Sequence, residues 1–106
     1  MTTFSDREKG FENKFKHDQE ANFKVTARRN KLLGLWVAKE LGLSGDAAEA
    51  YAKSVVVADM EKPGDDDVVQ KVMADMKAKG LPVTEHRIRS EMTALLAEAR
   101  KQLAGS

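Results

Sequence analysis

The chain has 106 residues, enough for one domain with one modest hydrophobic core. Charged residues make up 33% and aromatics 6%, Pro is nearly absent and Cys is absent, a profile of an all-helical protein without disulfides, thiolate metal sites or a cysteine nucleophile. The net charge of +1 argues against a nucleic-acid binder, whose phosphate contacts need a basic face. The charge is uneven all the same: residues 1–31 carry eight Lys/Arg against five Asp/Glu, a balance of +3, and residues 32–106 carry ten against twelve. A basic end on an acidic body suits a partner met by that end.

The first stretch, 1–22, reads MTTFSDREKGFENKFKHDQEAN. Phe4, Phe11 and Phe15 fall seven and four apart and share one face of a helix, but everything between them is polar. Gly10 costs helix formation about 1 kcal/mol relative to Ala. A stripe this sparse does not offset the entropy of ordering, so residues 1 to about 18 are expected to be mobile when free and helical when the Phe face enters a groove. Two other dispositions stay open: the three Phe folding back onto the core, or a helix continuous with the next one, since Phe15 and Phe23 lie about two turns apart.

The organising element is 23–43, FKVTARRNKLLGLWVAKELGL, which holds the only Trp. Phe23, Ala27, Leu33, Gly34, Val37, Ala38 and Leu41 recur at helical steps, and Leu32, Leu35 and Trp36 widen the stripe until the middle is apolar nearly all round. Such a helix belongs at the centre of a bundle. Gly42 and Leu43 follow as the C′ and C″ residues of a Schellman stop. Ser44 then N-caps a second helix with a stripe of Ala48, Tyr51, Ala52, Val55, Val56 and Met60. Pro63 and Gly64 break it, and Asp65, Asp66 and Asp67 open a third helix with Val68, Val69, Val72, Met73 and Met76 facing inward. Gly80 and Leu81 repeat the stop. Pro82 and Thr84 begin the last helix, with Val83 and Ile88 as a hydrophobic staple and Met92, Leu95, Leu96, Ala99 and Leu103 along its stripe. The pattern predicts an all-α four-helix bundle with helices near 20–42, 45–62, 65–79 and 85–103, preceded by a mobile arm over 1–19.

Nothing points to catalysis. His17 and His86 are far apart and outside any HExxH pattern, and no Ser stands in a nucleophile context. Glu61, Asp65, Asp66 and Asp67 offer hard oxygen ligands, but without EF-hand spacing, and capping explains acidic residues at a helix start. No metal site is expected. Arg28, Arg29 and Lys31 form the densest cationic cluster and the place where a nucleotide phosphate would bind, though solvent-facing cations explain them as well and no glycine-rich cradle accompanies them. No run is long and apolar enough to cross a bilayer.

Read in order, FSDREKGFENKF, ARRNKLLGLW, LGLSGDAAEAYA and KPGDDDV resemble the zeta inhibitor subunit of alphaproteobacterial F-type ATP synthases, over 2–102. The resemblance implies a non-enzymatic regulator whose N-terminal helix inserts at a catalytic interface between the alpha and beta subunits, with gamma a further candidate partner, and stops ATP hydrolysis. It implies Phe4, Arg7, Glu8, Phe11, Glu12, Lys14 and Phe15 as partner contacts, with nucleic acid and direct membrane insertion excluded. The location implied is cytoplasmic, peripheral to the inner membrane through the ATP synthase. Adenine-nucleotide binding by the bundle is also implied, without a placed site; no cofactor is required, and weak ATP or ADP binding would lean on Arg28, Arg29 or Lys31. Gly10 stands where Ala is usual in the family, and Met60 and Val69 where Phe is common. A nucleotide-sensing helical bundle with no tie to the ATP synthase is the competing reading.

Overall fold

The computed structural model describes the backbone of residues 3–104 and the side chains of residues 22–104. It is an all-α four-helix bundle, with α1 over Thr3–Glu40, α2 over Gly45–Glu61, α3 over Asp65–Ala78 and α4 over Glu85–Ala104. No strand occurs among the described residues. The helix expected from about residue 20 begins much earlier, because the two-turn spacing from Phe15 to Phe23 carries the arm's backbone straight into the hub.

The stops match their sequence signals. At the end of α1 the amide of Leu43 donates to the Ala38 carbonyl at 2.8 Å and that of Gly42 to Lys39 at 3.1 Å. At the end of α3, Leu81 donates to Met76 and Gly80 to Lys77 in the same pattern. Both glycines sit at positive φ, 82° and 74°, the left-handed conformation this motif requires. Thr84 caps α4, its Oγ1 accepting from the Arg87 amide at 3.1 Å, while Val83 packs with buried Ile88 in one cluster. Ser44 occupies the N-cap position of α2 in an extended conformation, but its hydroxyl makes no capping bond.

The core joins all four helices: Leu33 and Val37 of α1, Val55 of α2, Val68, Val69, Val72 and Met76 of α3, and Ile88 and Met92 of α4. Each such side chain contributes about 1.5–3 kcal/mol relative to exposure. Gly34 sets how closely the first two helices approach. A Cβ built on it would lie 2.5 Å from the Cα of Ala52, so only a residue without a side chain fits. From that point α2 runs antiparallel to α1, with Asn30 opposite Asp59 and Phe23 near Met60. α4 is antiparallel as well, with Arg87 over the Trp36 ring at one end and Leu103 beside Lys24 at the other. α3 is held by polar ties at both ends. Arg89 bridges Asp66 at 2.5 Å and Glu85 at 2.9 Å, and the Tyr51 hydroxyl donates to Asp75 Oδ2 at 2.7 Å. Lys71 reaches the same carboxylate oxygen at 3.1 Å and lies over the Tyr51 ring.

Candidate functional site

The side chains of Phe4, Arg7, Glu8, Phe11, Glu12, Lys14 and Phe15 lie outside the described residues, as does that of His17; their backbone belongs to α1. The expectation of a mobile arm falls in the same segment. His86 is exposed.

The cationic cluster is split by the helix. Arg29 turns inward and is 4% exposed, against the expectation of a solvent-facing row. Its Nε and Nη2 donate to Asn30 Oδ1 at 3.2 and 2.9 Å, and Nη2 also donates to Asp65 Oδ1 at 2.9 Å. Asn30, itself 1% exposed, donates through Nδ2 to Asp59 Oδ2 at 2.9 Å. Asp59 Oδ1 in turn accepts from the Gly64 amide at 3.2 Å. A buried guanidinium is tolerable only when paired and hydrogen-bonded, and this chain of bonds supplies both. It also pins the turn at Pro63 and Gly64 against α1, which gives Asp65 a role beyond helix capping. A cavity of about 220 Å³ borders Arg29 and Arg89, but both guanidinium groups are already engaged by carboxylates. The described residues hold no cluster of three or more potential metal ligands.

Arg28 and Lys31 stay exposed, and Lys24, one turn before Arg28, joins them. These three border an open groove of about 370 Å³ whose apolar lining comes from Phe23 and Ala27 of α1, Val56 of α2 and Leu103 of α4. A smaller depression adjoins it, sharing Phe23, Ala27 and Val56 and extending to Met60. Phe23 is 60% and Met60 61% exposed, where the helical stripes place both inward. The cause lies in the neighbouring helices: α2 ends at Glu61 and α4 at Ala104, level with Phe23. Val69, by contrast, is fully buried in the core.

A family model described as "ATPase inhibitor subunit zeta" matches residues 1–102. The chain belongs to this family. A protein solved by solution NMR is 49% identical, with the match covering 78% of this chain and 94% of that one at a TM-score of 0.69. Comparison with curated protein sequences yields no match. Membership in the zeta family makes the chain a regulatory protein rather than an enzyme, an inhibitor whose partner is the F-type ATP synthase. No helix among the described residues is long and apolar enough to cross a membrane.

For a zeta-family inhibitor the surface at Phe23 and Met60 is the feature periodicity missed. Lys24 could have been found from its four-residue step to Arg28. The inward turn of Arg29 had no comparable signal, since it depends on Asp65 arriving from another helix.

Proposed function

We propose that the chain stops ATP hydrolysis by inserting the N-terminal part of α1 at an alpha/beta catalytic interface of the F-type ATP synthase. The observation that carries this reading is the family match, which includes the arm as well as the bundle. The unbroken helix from Thr3 to Glu40 supports it, because a rigid connection would transmit the anchoring of the bundle to the inserted segment. Before binding, its sparse apolar stripe lets the arm fray from this helix, and on binding Phe4, Phe11 and Phe15 supply its apolar face. Arg7, Glu8, Glu12 and Lys14 contact polar groups beside that face.

Such an inhibitor needs no chemistry of its own. It binds one rotational conformation of the motor better than the others and shifts the motor's equilibrium by that difference in affinity. A state visited only during hydrolysis would give inhibition in one direction of rotation. Any accompanying adenine nucleotide would bind weakly at Arg28 and Lys31, since Arg29 is committed to Asp65; amide shifts during ATP titration test that placement.

The inhibition test uses the full chain with Phe11 and Phe15 both replaced by Ala, titrated against a purified alphaproteobacterial F-type ATPase. Buried aromatic anchors in helix-in-groove binding are worth about 2 kcal/mol or more each, so inhibition should weaken by well over tenfold. Unchanged inhibition by the double variant would overturn the insertion reading.

A further inference from the structure

We infer that the groove between Phe23, Val56 and Met60 docks an acidic amphipathic helix of a partner protein. The site is separate from the arm's Phe face and lies on the bundle itself. Three observations carry it. Phe23, Met60 and Val57 are the large apolar side chains that remain exposed among the described residues, and two of the three meet at this groove. An aromatic ring left more than half in water beside a preformed recess is what a helix-in-groove contact consumes.

The second observation is charge. Of the charged residues lining the two depressions, Lys24, Arg28 and Lys31 are cations and Asp59 is the one acid. Both oxygens of Asp59 are occupied, one by Asn30 and one by the Gly64 amide. None of the three cations makes an ion pair with a described residue. The lining is thus apolar along one side and cationic along the other. Its complement is an apolar ridge flanked by carboxylates.

The third observation is shape. α2 and α4 both pack on α1 while their backbones stay apart from each other, so α1 forms the floor of a trough with Val56 and Leu103 along its sides. From Phe23 to Lys31 the floor is about 12 Å long, matching two turns of an incoming helix with apolar residues at i, i+3, i+4 and i+7. The cations Lys24, Arg28 and Lys31 fall at i, i+4 and i+7 in a single row beside this floor, a linear arrangement that matches a row of carboxylates on a helix and favours a helix over a lipid surface.

The test titrates the isotopically labelled full chain with a synthetic helical peptide bearing a Leu ridge flanked by Glu, and with the same peptide carrying Lys in place of Glu. Amide shifts should centre on Phe23, Lys24, Ala27, Arg28, Val56 and Met60, and the Lys peptide should bind at least about tenfold more weakly. Replacing Phe23 and Met60 together by Ala, or Arg28→Glu alone, should each lower affinity for the Glu peptide by about tenfold. All three substituted side chains are exposed, so melting temperatures should stay close to wild type and report that the fold persists. The inference is overturned if the Glu peptide binds elsewhere or not at all, or if both peptides bind equally. It is also overturned if phosphatidylglycerol vesicles perturb these amides and the peptide does not, or if sedimentation finds the patch covered by a second copy of the chain.

Discussion

The two ends of the α1–α2 contact are built from the same kinds of residue and behave in opposite ways. At the end near the first interhelical turn, Gly34 lets the two backbones meet, and Leu33 and Val37 are sealed from water. At the other end, Phe23 and Met60 are apolar, adjacent and mostly wet. Between them lies the polar chain of Arg29, Asn30, Asp59 and Asp65. Hydrophobicity alone therefore does not decide burial in this small bundle. What decides it is whether a third and fourth helix are present at that level to close the space. Of these two ends, the open one leaves apolar surface for a partner.

The sharpest way to break this contrast is to truncate one residue at each end. Leu33→Ala leaves a cavity in a fully packed site and should cost about 3 kcal/mol, whereas Phe23→Ala removes a larger side chain yet should cost under about 1 kcal/mol. Denaturant unfolding of both variants measures the difference, and equal losses would mean Phe23 is part of the core.

Gly34→Ala probes the close approach from the other direction. The added methyl meets the Ala52 backbone, which cannot swing aside as a flexible side chain would, so overpacking of up to about 3 kcal/mol outweighs the roughly 1 kcal/mol gained in helix propensity. A net loss of about 2 kcal/mol should appear as a melting temperature lower by about 10 °C.

Much of this molecule is legible in its sequence, and the part that is not has a common cause. The stops at Gly42 and Gly80, the break at Pro63 and the staple of Val83 and Ile88 are local signals, carried by residues within one turn of each other. The orientation of Arg29 and the exposure of Phe23 and Met60 depend on where other helices end, which no local window contains. The periodicity of 23–43 identifies an apolar stripe, but the partners that would cover its first turn are set by the lengths of α2 and α4. The same limit holds for the candidate site. The cationic cluster was visible as a cluster, and its division into one buried member and two exposed ones was not.

A smaller effect tests the tie between α2 and α3 in the closed part of the bundle. Burial, and behind it the Asp75 carboxylate that accepts its hydrogen bond, push the Tyr51 phenol well above its ordinary value of 10.0. The folded chain therefore keeps this proton longer than the unfolded one. The associated stability is whole below pH 10 and is lost as pH rises beyond it. Tyr51→Phe should cost about 1 kcal/mol near neutral pH, since Asp75 keeps Lys71 as a partner. It should also flatten the alkaline decline of stability, which unfolding curves from about pH 9 upward would measure.

The central claim is a division of labour: the bundle is a scaffold, and the N-terminal part of α1 is the inhibitor. Its most direct test is ATP hydrolysis by a purified alphaproteobacterial F-type ATPase with the full chain and with the chain lacking residues 1–14. The full chain should inhibit, and the truncated chain should not, while the truncated chain's unfolding transition stays where it was. A truncated chain that inhibits as strongly as the full one would contradict the account and move the inhibitory surface onto the bundle.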